Sequence, residues 1–323
     1  MSGVALLTLG GTISMVQEAT SATPKLGAAQ LAQASPLITK AVDVALVGGS
    51  EVDTAHLQLL GHQLASVQRP AVVTVGTDAI EETAAWLAWA GPWSYPVAVT
   101  GSMMPGGRSD SDGNANIVDA VTTVSTLQWS EPVVVFGGHV LLGREAVKVS
   151  GALRDAFSAP GRGPIGGVGP LGLTLWREPT PTRGFGAPPS PAPVVPLVIA
   201  AMGDDGVLLD TAVARSSRGV VVAANGAGNL PPAMAAVAVG AAKSDVPIVV
   251  ATRAADAVTS PVYGYPGGSS ELAEAGVIFA SGLSPHRARI VVGLAIAHQM
   301  DVSAAIRQAT ADVSCSEQTL PSG

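Results

Sequence analysis

The 323-residue chain is short of cysteine, charge and aromatic rings. Cysteine occurs once, at Cys315, so no intrachain disulfide and no cysteine metal cluster can form. The five histidines, His56, His62, His139, His286 and His298, lack the i,i+4 spacing of a helical zinc site, and no metal is expected. No glycine-rich turn continues into Gly-Lys-Ser/Thr, and none after the first apolar run reads Gly-x-Gly-x-x-Gly. Neither a nucleotide nor another cofactor is therefore expected. Basic residues are outnumbered, 17 to 24, for a formal charge of -7, which argues against a general nucleic-acid or anionic-membrane binder. Arg144, Arg154, Arg162, Arg177 and Arg183 are scattered and call for no polyanion. The first apolar run is too short to span a bilayer and has no basic segment before it, so a cytoplasmic protein is expected. Charged residues make up only 13% of the chain while 47% is hydrophobic, which implies broad buried area and room for subunit contacts.

What is present is a repeated pattern of apolar runs that end in glycine and hydroxyl residues. Residues 4–9 form a buried strand, and Gly10 and Gly11 allow a sharp exit that puts Thr12 just past its carboxyl end. Open α/β sheets place their ligands at that edge. Residues 71–75 repeat the idea, ending in Gly76, Thr77 and Asp78. Further strands are expected over 42–47, 97–100 and 133–136, with helices over 81–89 and 116–127 and another after Asp53 or Thr54. The alternation predicts a mostly parallel sheet with helices on both faces. Residues 14–25 show no period and are expected to be a mobile loop. Prolines crowd 178–193, giving a predicted catalytic domain over 1–178, a linker over 179–193 and a smaller α/β domain over 194–323. In that second part strands are expected over 194–200, 219–224 and 247–251, with helices over 231–239 and from Pro285 onward.

A threonine hydroxyl is a weak nucleophile unless a neighbouring base helps it. Thr77 and Asp78 precede a helix start, whose free N–H groups can hold an oxyanion or carboxylate. Lys148 follows the strand over 133–136. A lysine beside a carboxylate accepts a proton only where desolvation or another positive charge offsets that carboxylate. Ser50-Glu51 and the 109–113 segment offer hydroxyls and carboxylates suited to an amino acid's ammonium and carboxylate groups. Each threonine also reads as a turn or cap residue, and Asp112-Gly113 as a turn.

Taken together these stretches resemble the bacterial-type L-asparaginase and glutaminase-asparaginase family. Thr8-Leu9-Gly10-Gly11-Thr12-Ile13-Ser14 is similar to its first signature, Thr-Gly-Gly-Thr-Ile-Ala/Ser. The decad from Val75 to Ala84 is similar to its second, His-Gly-Thr-Asp-Thr-x-Glu-Glu-Thr-Ala. Gly101-Ser102-Met103-Met104-Pro105, Gly226-Ala227-Gly228-Asn229-Leu230 and Ser281 to Arg289 extend the likeness over nearly the whole chain. The resemblance implies two α/β domains and hydrolysis of L-asparagine by double displacement. It makes Thr12 the nucleophile and gives Thr77, Asp78 and Lys148 a polarising or water-activating role. Gly11, Ser50, Glu51, Gly76 and Ser102 become substrate-binding residues. It further implies a homotetramer built as a dimer of dimers, with Asn229 contributed from a neighbouring subunit.

The chain departs from the family pattern at several places. Residues 13–40 hold no tyrosine, although the family commonly carries one in the loop after its first threonine; Tyr263 and Tyr265 are the candidates to replace it. Val75, Ala79 and Met104 stand where histidine, threonine and arginine are usual. Alternative functions are hydrolysis of glutamine or another small amide, and a non-catalytic amino-acid-binding regulator. The joint presence of Thr12, Thr77, Asp78 and Lys148 weighs against the regulator, since binding alone needs neither both hydroxyls nor the lysine.

Overall fold

A computed structural model describes residues 3–18, 21–216 and 218–313, so Cys315 lies outside the described residues. The chain divides into two compact units, Met1–Ala192 and Pro193–Gly323.

The first unit is built on an eight-stranded sheet. Its strands are β1 (Val4–Gly10), β4 (Ile38–Val47), β5 (Ala71–Thr74), β6 (Val97–Thr100), β7 (Val133–Phe136), β8 (His139–Leu142), β11 (Gly166–Gly169) and β12 (Gly172–Leu175). They lie in the order β12-β11-β8-β7-β6-β5-β1-β4. Every residue of β1 is buried, so both sheet faces are covered. Val4 and Leu6 of β1 pack with Ala28 and Leu31 of α1 (Ala28–Leu31) and Ile117, Ala120 and Val121 of α4 (Gly113–Thr126). Fully burying each valine, leucine or isoleucine among them is worth about 1.5–3 kcal/mol. Helices α2 (Thr54–Val67) and α3 (Ile80–Ala90) pack on one another and on strands of the sheet, with Trp86 and Trp89 of α3 fully buried.

β1 lies between β4 and β5, so the chain leaves it first toward one side and then returns to the other. This reversal is a topological switch point, where the loops at the carboxyl ends part and open a crevice. The register sets those ends level: Gly10 pairs with Val47, and Thr8 with Thr74.

The first sheet is mostly parallel, as the fold class predicts: β4, β1, β5, β6 and β7 are parallel, and β8, β11 and β12 form an antiparallel edge. Gly137 and Gly138, at φ +57° and +79°, make the two-residue hairpin that joins β7 to β8. The segment after Thr12 is not a loop without structure. β2 (Met15–Gln17) and β3 (Ala22–Pro24) pair antiparallel, and the Ser14 carbonyl accepts the N–H groups of Lys25 and Leu26. Strands of three residues are too short to show a period of two. The helix from Pro285 is interrupted, giving α8 (Pro285–Ala297) and α9 (Val302–Val313), with Gln299 between them in the left-handed region at φ 56°.

The proline-rich segment is bound to the first unit along part of its length. Buried Arg144 reaches the Thr180 carbonyl, and Glu131 accepts from the N–H and hydroxyl of Thr182. Phe185 and Gly186 donate to the carbonyls of Trp89 and Gly91. A separate small pair, β9 (Val147–Lys148) and β10 (Phe157–Ser158), carries Lys148.

The second unit is a four-stranded parallel sheet, β13 (Leu197–Ile199), β14 (Val220–Ala224), β15 (Ile248–Thr252) and β16 (Ile278–Phe279), in that order. Val220, Val222 and Val250 pack against Leu209 of α5 (Val207–Arg215), Met234 and Ala238 of α6 (Pro232–Lys243) and Leu272 of α7 (Ser269–Glu274). Pro285 opens α8, where its missing N–H costs nothing, and Ser284 caps the helix by accepting the Arg287 N–H.

Candidate active site

Three glycines hold the site together. Gly11, Gly49 and Gly76 follow β1, β4 and β5, and each directly precedes a hydroxyl residue: Thr12, Ser50 and Thr77. A Cβ on Gly76 would lie 2.8 Å from the Gly49 nitrogen and 3.3 Å from the Gly11 Cα. A Cβ on Gly49 would lie 3.2 Å from the Gly76 Cα and 3.5 Å from the Asp78 Cβ. The backbones therefore touch, and no side chain fits between them. This packing brings Thr12, Ser50 and Thr77 to one place although they are far apart in sequence. Gly49 is the member of the trio not singled out in the sequence. Its signal is there in retrospect: a second Gly-Gly doublet, at 48–49, closes a strand just as Gly10-Gly11 does.

Thr12 begins a 3-10 turn, Thr12–Ser14, and is half-buried. Its carbonyl accepts the Gly106 N–H at 3.1 Å, and the Met15 carbonyl accepts the Gly107 N–H at 3.0 Å. The 101–112 loop thus lies along the segment that carries Thr12. Thr77 is buried, and its Oγ1 accepts a hydrogen bond from Lys148 Nζ at 2.8 Å. The same ammonium donates to Asp78 Oδ1 at 2.7 Å. Lys148 is largely covered, whereas the Asp78 side chain is 69% exposed. An ion pair this open contributes at most about 1 kcal/mol to stability, so its weight lies in placing charge, not in holding the fold. The Lys148 N–H also points to Glu81 Oε2, at 3.4 Å, from the first turn of α3.

Ser50 and Glu51 lie in the 3-10 turn Gly49–Glu51, both exposed. Glu51 folds back, its Oε2 accepting the Gly48 N–H at 2.7 Å, so one carboxylate oxygen is committed to its own turn. Ser102 is fully buried, and its hydroxyl donates to the Met104 carbonyl at 2.6 Å. That hydroxyl shapes the loop. Asp112 does the same, accepting from the N–H groups of Met103 and Met104. Asn229 belongs to the second unit, where its Oδ1 accepts the Ser269 N–H at the start of α7. Tyr263 and Tyr265 are half-exposed in that unit, their rings 5.9 Å apart. Two departures from the family pattern are buried: Val75 is 0% exposed and Ala79 7%. They face packing, not open cleft.

A hydroxyl beside a lysine–carboxylate pair, at the carboxyl edge of parallel strands, with a second hydroxyl delivered by a neighbouring strand, suits a hydrolase with a hydroxyl nucleophile on an α/β scaffold. Comparison with known proteins narrows the class. The family model "Asparaginase, N-terminal" matches residues 3–179. "Glutaminase/Asparaginase C-terminal domain" matches residues 194–309. A probable L-asparaginase of Deinococcus radiodurans is 34% identical over 312 residues, covering 90% of this chain and 91% of that protein. L-asparaginase 2 of Bacillus subtilis is 26% identical, covering 93% of this chain and 84% of its own. The crystal structure of a probable cytoplasmic L-asparaginase from Campylobacter jejuni superposes with a TM-score of 0.83 at 25% identity, over 96% of this chain and 99% of that one. The chain belongs to the bacterial-type asparaginase and glutaminase-asparaginase family.

Proposed function

We propose that the protein is an L-asparaginase-type amidohydrolase in which Thr12 is the nucleophile and L-asparagine the substrate. The observation that carries the assignment of roles is the Lys148 ammonium bridging Thr77 Oγ1 and Asp78 Oδ1, on a backbone packed against the turn that presents Thr12. Because Thr77 Oγ1 accepts from Lys148, its own hydrogen is left to donate. In this reading that hydrogen polarises the side-chain amide carbonyl. Thr12 Oγ then attacks the carbon, the C–N bond breaks, and ammonia leaves carrying the proton that Thr12 gave up. Water adds to the resulting ester, its C–O bond to Thr12 breaks, the hydroxyl regains a proton, and aspartate is released. Backbone N–H groups near Gly76 and Thr77 receive the oxyanion, an interaction commonly worth about 3–4 kcal/mol. Exposed Asp78 takes the substrate ammonium, with Ser50 and the free oxygen of Glu51 beside it. Ser102 acts through the loop it folds.

We also propose a homo-oligomer, a dimer of dimers, in which Asn229 completes the site of a neighbouring copy, and a cytoplasmic location. The low charge content and the exposed Met202 and Leu208 of the second unit support the assembly. A coupled ammonia assay over asparagine, glutamine and other small amides tests the activity. Asparagine is expected to be turned over, and Thr12→Ala and Lys148→Ala to lose nearly all of it. Binding of asparagine without ammonia release would refute the assignment. An active monomer on sedimentation would refute the shared site.

A further inference from the structure

Beneath the site lies a set of buried hydroxyls that the reaction above does not use. Thr8 of β1, Thr74 of β5 and Ser14 are each 0% exposed. Thr74 Oγ1 donates to Thr8 Oγ1 at 2.8 Å, and the Gly10 N–H donates to the same oxygen at 3.0 Å. Both lone pairs of Thr8 are then occupied, so its own hydrogen points outward. The hydroxyl it faces is Ser14 Oγ at 3.5 Å, the longest of the three contacts. Proton accounting thus gives a direction, from Thr74 to Thr8 to Ser14.

One oxygen therefore holds two points of the chain, Gly10 and Ser14, which lie two residues before and two residues after Thr12. The anchoring is continued by the main chain: the Gly11 N–H donates to the Val47 carbonyl at 2.8 Å, and the Ser14 N–H to the Gly11 carbonyl at 2.9 Å. Gly10 and Gly11 are both in the left-handed region, at φ +95° and +81°, where a glycine pair has many alternatives open to it. Something must select one of them. The strand itself needs no hydroxyl at position 8, because β1 is otherwise a run of valine, alanine and leucine before Gly10.

We infer that Thr8 is a positioning residue for Thr12: its buried hydroxyl fixes the double-glycine turn and so sets where the nucleophilic oxygen stands. The inference rests on the reading of Thr12 as nucleophile. Valine has the shape of threonine, so Thr8→Val keeps the packing while leaving the Gly10 N–H and the Thr74 hydroxyl without their acceptor.

The test compares the full-length protein with Thr8→Val, Thr8→Ser and Thr123→Val. Thr123 is an equally buried threonine on α4, its hydroxyl bonded within the helix to the Asp119 carbonyl, and it serves as the structural control. Ammonia release from asparagine gives kcat and KM, and amide hydrogen exchange reads Gly10 directly. A misplacement approaching an ångström costs up to about 100-fold in rate, so kcat of Thr8→Val is expected to fall about 10- to 100-fold with KM nearly unchanged. Thr8→Ser is expected to restore most of it, Thr123→Val to keep the wild-type kcat, and Gly10 exchange to quicken only in Thr8→Val. A Thr8→Val enzyme with wild-type kcat, or one that loses no more than Thr123→Val, overturns the inference. If Thr8→Val does not fold, Ser14→Ala carries the test, with a smaller fall in kcat at constant KM expected and no fall refuting it. If the wild-type protein itself releases no ammonia, the functional reading fails separately. Gly10 exchange then decides the tether alone: unchanged exchange in Thr8→Val overturns it.

Discussion

Replacing Gly11 by alanine probes the backbone contact on which the site is built. Two costs arise. Gly11 has φ +81° and ψ -172°, a conformation essentially confined to glycine, and an L-residue held there pays about 1–3 kcal/mol. The new Cβ would also fall closer than 3.0 Å to both the nitrogen and the Cα of Gly76, a backbone that cannot rotate aside as a side chain would. Forcing a methyl group into such a contact costs about 1–3 kcal/mol more. The sum, about 2–6 kcal/mol, is a large share of a typical domain's stability. Gly161 separates the two terms. It has φ +75°, yet a Cβ there would meet nothing within 4 Å. Gly161→Ala therefore carries the conformational cost alone. At about 2–4 °C per kcal/mol for a unit of this size, Gly11→Ala is expected to melt about 2–12 °C below Gly161→Ala. Because Gly76 leads directly into Thr77, the displacement reaches the reacting groups, and ammonia release is expected to fall about 100-fold while Gly161→Ala stays active. Differential scanning calorimetry and the ammonia assay read both effects. Equal melting temperatures with full activity in Gly11→Ala would refute the packed-glycine account.

Other substitutions test the frame around the site. Glu131→Ala strands Arg144, whose side chain is 4% exposed, and is expected to cost about 3–5 kcal/mol in chemical denaturation. Asp53 caps α2 by accepting the N–H groups of Ala55 and His56, so Asp53→Ala is expected to cost about 1 kcal/mol and Asp53→Asn much less. The hydrogen bond from the His56 N–H holds the Asp53 carboxyl below the ordinary carboxylate range. Its contribution is present above the unfolded pKa and is lost as pH falls through the folded one, so the melting temperatures of wild type and Asp53→Ala should converge in acid. Asp119 has the opposite sign, because burial pushes its carboxyl up. Its folded form favours the proton, a stabilisation present at low pH and lost as pH rises through the folded pKa. Asp119→Asn is therefore expected to raise the melting temperature at neutral pH and to leave it unchanged in strong acid.

Much of this was legible in the chain, for identifiable reasons. Strands β1, β5, β6 and β7 are apolar runs closed by glycine or small polar residues, and that pattern has few other readings. Thr12 and Thr77 follow from it directly. The antiparallel edge was not legible, because Gly137-Gly138 after a strand reads equally as an exit or as a tight turn; only the two positive φ values distinguish them. Hairpin β2–β3 was hidden by its length. The pairing of Lys148 with Thr77 could not come from spacing, since some seventy residues separate them. It came from the resemblance, and physically it depends on β9 being held beside α3. Thr8 was hidden for a different reason: threonine is a good strand former, so a threonine inside an apolar run gives no sign that its hydroxyl is in use.

The same contrast explains how the chain makes an active site with so little charge. The side chains proposed to react are brought together by backbone, not by ionic attraction. Register sets Thr8 level with Thr74 and Gly10 level with Val47, the strand reversal at β1 opens the crevice, and the absence of side chains at Gly11, Gly49 and Gly76 lets the three turns meet. A hydroxyl carried on such a turn is placed by covalent geometry and by buried hydrogen bonds, which salt does not screen as it screens exposed charges. The Lys148–Asp78 pair is the exception, because solvent reaches the Asp78 carboxylate. Raising ionic strength should therefore weaken substrate capture at Asp78 while leaving the turnover of bound substrate nearly constant. A rise in KM with steady kcat would show it, and a parallel fall in kcat would mean that charge, not backbone, holds the nucleophile in place.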